Sequence, residues 1–65
     1  MATVYVAKED FLPESARKTF HVTVKAGDRL VFLWRNENGD MTKRGNEEIF
    51  LSEEDIYRYC ATVDE

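Results

Sequence analysis

The sequence predicts a small all-β domain of five strands, with one short helical turn near the C-terminus. Two observations lead to this fold class. Short apolar stretches alternate with tight-turn signals, of which Ala26-Gly27-Asp28 and Gly45-Asn46 are the clearest. The chain has 65 residues and is 43% apolar, which is enough for one minimal core and too little for two. We therefore expect residues 1–65 to form a single small barrel domain.

The first strand is predicted over residues 3–7, where apolar residues alternate between two faces. Val4 and Val6 share one face, and Tyr5 and Ala7 share the other. Residues 8–18 are polar around Pro13, which predicts a long loop with one helical turn over residues 13–17.

A second alternating stretch covers residues 19–24 and ends in the turn at Gly27. Glycine is expected at that turn because it adopts positive φ without steric cost.

Residues 30–34 (LVFLW) are apolar at every position, which predicts a strand covered on both faces. Every second side chain would point into the barrel, so Val31 and Leu33 are expected on the outer face. Two explanations are open for this outward pair. The favoured one is a covering segment such as Phe11-Leu12 of the long loop. The other is an oligomer face, most simply that of a homodimer.

Residues 35–40 (RNENGD) are predicted to form a loop, because two Asn and one Gly tolerate positive φ. Two strands, residues 41–44 and 47–51, then flank the hairpin turn at Gly45-Asn46. In the second of these strands Ile49 and Leu51 share the core face, so Phe50 is expected to point outward.

The C-terminal residues support two interpretations. The favoured one is a helical turn over residues 52–55 followed by a strand over residues 57–63, where Tyr, Cys, Thr and Val favour extended structure. In the alternative, a helix from Glu53 to Ala61 closes a curved sheet. Ser52 would cap that helix, and apolar residues would recur at helical spacing along it.

Taken in this order, the parts resemble the Src-homology-3-like (SH3-like) barrels over most of residues 2–60. Such domains open with a short strand and a long acidic loop, continue through a Lys-x-Gly-Asp-x-Leu turn into the next strand, and then form a distal hairpin. A single helical turn leads into their last strand. Residues 25–32 (KAGDRLVF) match the turn and strand, Gly45-Asn46 matches the hairpin, and residues 50–56 (FLSEEDI) match the helical-turn segment. The resemblance implies a five-stranded SH3-like barrel.

Peptide-binding members of that family receive proline-rich ligands in an aromatic groove. Tyr5 matches the first groove tyrosine, and Phe50 matches the aromatic residue before the helical turn. Other residue types stand at the remaining groove positions: Ala7, Met41, Thr42, Ser52 and Asp55. The resemblance therefore supports the fold and not the usual ligand.

Composition favours a non-catalytic protein-binding or regulatory accessory module. The net charge of -4 and the pI near 4.9 argue against a phosphate-binding surface, which needs clustered Lys and Arg. One His and one Cys provide neither a nucleophile motif nor a zinc-ligand set. We expect no enzyme activity, no cofactor and no metal.

The expected partner is another protein of basic character, because carboxylates beside exposed aromatic rings orient such a partner. Trp34 is read either as a core plug, which is favoured, or as part of this surface. The predicted binding residues are the aromatic Tyr5, Trp34, Phe50 and Tyr57, ringed by the acidic Glu9, Asp10, Glu53, Glu54 and Asp55. Two alternative functions remain. One is a nucleic-acid-associated or nucleic-acid-mimicking protein using Lys43 and Arg44, and the other is a self-assembling subunit using Val31 and Leu33.

Cytoplasmic localisation is expected from three sequence features. Cys60 is the only cysteine, so the chain has no internal disulfide of the kind that small secreted domains usually need. The first residues lack the pattern of a signal peptide, and no apolar run approaches the roughly 18 residues that cross a bilayer. We expect no membrane association.

Overall fold

The computed structural model describes residues 2–13 and 23–65. Within these ranges the strands form one antiparallel sheet in the order β4-β3-β2-β1-β5. The elements are β1 (Thr3–Ala7), β2 (Arg29–Asn36), β3 (Gly39–Arg44), β4 (Glu47–Ser52), α1 (Glu53–Tyr59) and β5 (Cys60–Asp64). The predicted all-β class with a short helix near the C-terminus is confirmed. The predicted helical turn over residues 13–17 and most of the strand over residues 19–24 lie outside the described residues.

The main hydrophobic cluster lies on one face of the sheet, and Val4, which is 2% exposed, is buried on the other face. The buried residues of the main cluster come from four strands and from the segments on either side of residues 14–22: Tyr5, Ala7, Phe11, Val24, Leu30, Ile49, Leu51 and Cys60. Phe11 and Val24 exchange both backbone hydrogen bonds at 2.9 Å, and the Phe11 ring stacks on Tyr59 at 4.7 Å between centroids. Phe11 thus packs against the core face of the sheet. The prediction that it covers Val31 and Leu33 is wrong, because those two side chains lie on the opposite face.

The predicted turn at Gly27 is confirmed. Gly27 has φ +89°, and the Asp28 N–H donates to the Lys25 carbonyl at 3.0 Å across the turn. The Gly27 N–H donates to the Ala7 carbonyl at 2.8 Å, which ties the turn to the end of β1. The second turn has Gly45 at φ +61° between the paired residues Arg44 and Glu47, and this confirms the predicted two-residue hairpin.

The predicted loop over residues 35–40 is a tight hairpin instead. Arg35 pairs with Asp40 and Asn36 with Gly39, which leaves only two residues outside the strands. The Asn36 side chain explains the sharp reversal, since its Oδ1 accepts the N–H groups of Asn38 at 2.8 Å and Gly39 at 3.1 Å. Polar composition suggested a loop, but the side-chain hydrogen bonds close a turn.

Strand β2 is covered on one face only, so the prediction of two covered faces is wrong. Leu30 is fully buried, whereas Val31 and Leu33 are 40% and 41% exposed. The outward direction predicted for Val31 and Leu33 is confirmed. Trp34 is 46% exposed, and the core-plug interpretation of it is wrong. The register shifts between Phe32 and Trp34, so a bulge turns Trp34 away from the core.

The two interpretations of the C-terminal residues each describe one half of the structure. Helix α1 is longer than the favoured single turn and includes Tyr57, which was predicted to lie in a strand. It ends before the Ala61 of the alternative, because Cys60 is extended at φ -122° and ψ 149° and begins β5. A capping box explains the helix start: the Asp55 N–H donates to Ser52 Oγ at 3.1 Å, and the Ser52 N–H donates to Asp55 Oδ2 at 3.3 Å.

Candidate functional site

The sheet divides the predicted aromatic surface between its two faces. In β3, Asp40 pairs with Arg35 and Leu51, while the next residue, Met41, pairs with Trp34 and Phe50. Successive residues of a strand point to opposite faces. Arg35 and Asp40 therefore lie on the core face with Tyr5, and Trp34 and Phe50 lie on the outer face.

Tyr5 is part of a buried polar cluster on the core face. Its hydroxyl donates to Asp40 Oδ2 at 2.5 Å, and the Arg35 guanidinium donates to both Asp40 oxygens, at 2.7 Å from Nε and 3.2 Å from Nη2. Tyr5 is 3% exposed and Asp40 is 1% exposed. The expectation that Tyr5 belongs to an exposed aromatic strip is wrong, because its hydroxyl points inward to satisfy a buried carboxylate.

Electrostatics hold this cluster in one protonation state at neutral pH. Burial alone would raise the pKa of Asp40, but the hydrogen bonds from Arg35 and Tyr5 and the Arg35 charge outweigh burial and lower this pKa below 3.8. Burial, together with the hydrogen bond to Asp40, raises the pKa of Tyr5 above its ordinary value of 10.0. The hydrogen bonds to Asp40 and Tyr5 likewise raise the pKa of Arg35. Asp40 is therefore charged, and Tyr5 is neutral.

An open cavity of about 600 Å³ lies over this cluster, between β1, β5 and the helix. We call it the β1–α1 cavity. Tyr5, Arg35 and Asp40 line it from the sheet, and Glu53 and Tyr57 line it from α1. Tyr57 is 87% exposed, so its ring is accessible to a partner at the edge of the cavity. The predicted residues Tyr5, Glu53 and Tyr57 thus meet at one site.

Most of the predicted acidic ring serves the fold instead of the cavity. Asp55 is 5% exposed and belongs to the capping box, so it does not form part of an open surface. Asp10 Oδ1 accepts the Ala26 N–H at 2.8 Å and thereby braces the Gly27 turn. Glu54 pairs with Arg58 at 2.8 Å along the helix. Glu9 is exposed in the loop after β1 and is not among the residues that line the cavity.

Cys60 lies in the wall of the β1–α1 cavity and is 7% exposed. Burial, with a contribution from the Asp55 charge, raises the pKa of its thiol from 9.0 to about 11. The thiol is therefore protonated at neutral pH and unreactive as a nucleophile. Within residues 2–13 and 23–65, no three His, Cys, Asp or Glu side chains are grouped closely enough to hold a metal ion.

The outer face of β2, β3 and β4 carries a second candidate surface, which we call the outer patch. Trp34 and Phe50 have ring centroids 6.3 Å apart at an angle of 48°, and Met41 lies between their strands in the register. The outer patch is defined by Val31, Leu33, Trp34, Met41 and Phe50. Trp34 and Phe50 thus join the predicted oligomer pair Val31 and Leu33 instead of Tyr5 and Tyr57.

The candidate nucleic-acid residue Arg44 is engaged within the fold. Its guanidinium donates to Asp28 at 2.8 Å, to the Thr23 carbonyl at 3.0 Å and to Glu47 at 3.2 Å. The hydrogen bond from the Lys25 N–H, followed by the Arg44 contact, lowers the pKa of Asp28 below 3.8 despite some burial. Lys43 is exposed on the outer face.

Sequence reasoning missed Arg35 and Asp40, which are the charged pair beneath the cavity. Arg35 directly precedes Asn36, and Asp40 directly follows Gly39. A two-residue hairpin between Asn36 and Gly39 therefore places Arg35 and Asp40 opposite each other. That signal was present but was read as a loop.

In the part of the chain that the structure describes, no helix has the length and apolar character needed to span a bilayer. No protein-family model, no curated protein and no solved structure matches this chain.

Proposed function

We propose that this protein is a non-catalytic protein-binding module whose β1–α1 cavity receives a basic side chain of a partner protein. The observation that carries this proposal is an almost fully exposed Tyr57 at the rim of an open cavity that also contains Glu53. Large aromatic side chains beside a concave, partly apolar surface are the usual anchors of protein interfaces. Tyr57 offers a ring face on which an Arg or Lys side chain stacks.

The charges around the cavity favour a cation over an anion. Asp40 and Arg35 neutralise each other through two hydrogen bonds. Among the described residues that line the cavity, Glu53 is then the remaining charged side chain, and it makes the site negative. The whole chain carries a net charge of -4, which adds long-range attraction for a basic partner.

A binding role fits the cavity better than catalysis. Three of its ionisable groups, Tyr5, Arg35 and Asp40, hydrogen-bond to one another, and the side chains of the described residues leave no buried polar atom without a hydrogen-bond partner. An activated nucleophile needs a depressed pKa or an adjacent base, whereas burial raises the pKa of the Cys60 thiol to about 11.

We also propose that the fold is an SH3-like barrel with a ligand other than a proline-rich segment. The order of parts supports the barrel: a first strand, the Gly27 turn, two hairpins and a short helix before a last strand that pairs with the first. Ser52 and Asp55, which stand at the groove proline and closing tyrosine positions of the resemblance, bond each other in the capping box. Residues that would contact a proline-rich ligand are used here to start the helix.

The test is an NMR titration of the ¹⁵N-labelled protein with two short peptides, one rich in Arg and the other with Gln at every Arg position. We expect the Arg peptide to shift the amide signals of Thr3, Glu53, Tyr57 and Thr62, which lie around the cavity. A single anchored side chain should bind weakly, with a Kd on the order of 100 µM to 1 mM.

Three variants make this test specific. Glu53→Lys and Tyr57→Ala should each weaken binding about tenfold, since each removes roughly 1.4 kcal/mol of interaction. Glu54→Lys is the matched control, because Glu54 neighbours Glu53 but pairs with Arg58 and does not line the cavity. Equal binding of the Gln peptide, or equal effects of the Glu53 and Glu54 variants, would contradict the proposal. The nucleic-acid alternative would be favoured if the protein bound nucleic acid and if that affinity fell steeply as the salt concentration rose.

A further inference from the structure

We propose that the outer patch is the interface of a symmetric homodimer. This surface lies across the sheet from the β1–α1 cavity, so the inference does not depend on the proposed function. The outer patch is Val31, Leu33, Trp34, Met41 and Phe50, as defined above.

The outer patch is apolar and continuous across three strands. Val31, Leu33 and Trp34 are 40%, 41% and 46% exposed. The bulge between Phe32 and Trp34 lets Leu33 and Trp34 both face outward, which joins the two ends of the patch along β2. Met41 and Phe50 extend the apolar surface across β3 and β4. An apolar patch of a few hundred Å² on a small soluble protein is often a functional surface.

The charges of the outer face indicate a second copy as the occupant. Among residues 2–13 and 23–65, strand alternation places four charged side chains on this face, Arg29, Lys43, Glu48 and Glu65, and Arg29 pairs with Glu65. These two cations and two carboxylates cancel, although the chain carries -4 overall. Two copies therefore meet here without the repulsion that their net charge would cause elsewhere.

The positions of Lys43 and Glu48 make the patch self-complementary. These residues are directly paired across β3 and β4, and Lys43 is also opposite Val31. A twofold axis places the same surface of two copies face to face. If the twofold axis passes near this pair, Lys43 of each copy lies against Glu48 of the other copy. The interface then contains two such salt bridges. The apolar residues then bury each other beside this pair of salt bridges.

The size of the patch predicts a weak dimer. Aromatic side chains offer roughly 150–250 Å² each, and the patch has three residues that are 40–46% exposed and two that are partly buried, so it offers on the order of 300 Å² of apolar area. With its charged rim, each copy would bury an area at the lower end of specific interfaces, which total below about 1,200 Å². We expect a Kd of about 10–100 µM, so the monomer predominates in dilute solution.

Sedimentation velocity on the full chain, from about 1 µM to about 1 mM, tests the proposal. The sedimentation coefficient should rise from monomer to dimer with concentration. Leu33→Asp should raise the dissociation constant at least tenfold, because it places a charge inside the apolar contact. Tyr57→Ala is the matched control, since it removes an exposed aromatic side chain on the other side of the sheet. A chain that stays monomeric throughout, or a dimer that Leu33→Asp leaves intact, would overturn the proposal.

A charge-reversal cycle tests the symmetry of the contact. Lys43→Glu and Glu48→Lys should each raise the dissociation constant about tenfold, because each brings like charges together across the interface. The double variant, Lys43→Glu with Glu48→Lys, should return the dissociation constant to within about threefold of the wild type. Both residues are exposed, so these variants keep the fold. If the double variant is as weak as the single ones, the twofold pairing is wrong.

Discussion

At the scale of single residues, one buried carboxylate organises the cavity side of the protein. Asp40 accepts hydrogen bonds from Tyr5 and Arg35, and it joins β1, β2 and β3 beneath the β1–α1 cavity. A buried charge is tolerated only when it is paired and hydrogen-bonded, and Asp40 meets both conditions. Tyr5, which the resemblance predicted to bind a partner, instead donates a hydrogen bond to this carboxylate.

Replacing Asp40 by Asn should lower the free energy of unfolding by about 2 kcal/mol, because the three hydrogen bonds to its carboxylate lose the charge of the acceptor or are lost. Urea denaturation at neutral pH measures this change. Glu54→Gln is the control and should cost less than about 0.5 kcal/mol, since it removes an exposed helical ion pair. Equal costs for the two variants would show that the Asp40 cluster adds nothing to stability.

At the scale of elements, turns and caps determine where each strand and helix begins. The capping box of Ser52 and Asp55 starts α1 directly after β4, and the extended Cys60 ends α1 and begins β5. Gly39 lies where β3 passes close to β4, and an added Cβ there would be 2.2 Å from the Leu51 carbonyl oxygen. Both glycines have positive φ, +152° at Gly39 and +89° at Gly27, but at Gly27 no atom lies within 4 Å of an added Cβ.

This difference predicts unequal costs for two glycine substitutions. Gly27→Ala should lower the free energy of unfolding by about 1 kcal/mol, because alanine resists positive φ. Gly39→Ala should cost about 3 kcal/mol, because backbone atoms of β4 must move to admit the new Cβ. Thermal and urea denaturation of both variants provide the comparison. A Gly39→Ala protein at least as stable as Gly27→Ala would contradict the close approach of β3 and β4.

At the scale of the whole molecule, the fold places its two candidate surfaces on opposite faces of one sheet. The core face carries the polar cavity with Tyr57 and Glu53, and the outer face carries the apolar patch around Trp34. A partner bound in the cavity would therefore leave the outer patch free for a second copy. This arrangement also places Cys60 and Tyr5 inside the protein, where their protonation affects stability.

Stability should fall on the alkaline side as pH rises from about 9 to about 11. Burial, with the Asp55 charge, raises the pKa of Cys60 from 9.0 to about 11, and burial raises that of Tyr5 above 10.0. A raised folded-state pKa gives stability that is present below the unfolded-state value and lost as pH rises through the folded-state value. Melting temperatures followed by circular dichroism from pH 7 to about pH 11 measure this loss.

The control for the alkaline loss is Cys60→Ala, which should delay the decline to above about pH 10, where Tyr5 remains. An unchanged profile would show that Cys60 does not contribute. On the acidic side, Asp40 and Asp28 have folded-state pKa values lowered below 3.8. The stability that they add is present above pH 3.8 and should be lost as pH falls through their folded-state values.

Local physical chemistry made much of this fold predictable from the amino-acid sequence alone. The strand over residues 3–7, the turn at Gly27 and the hairpin at Gly45-Asn46 were predicted and are present. Ile49 and Leu51 are buried in the core as predicted. These features depend on neighbours within a few residues, because side-chain alternation and positive φ are properties of short segments.

Only the tertiary structure decided which surfaces are covered and which side chains meet. The register of β2 against β3 brings Arg35 to Asp40, and the packing of β1 beside them turns Tyr5 inward. The same register, with its bulge, leaves Trp34 outside the core. Such contacts join residues far apart in the chain, and their free energy depends on pairing and burial that no short segment encodes.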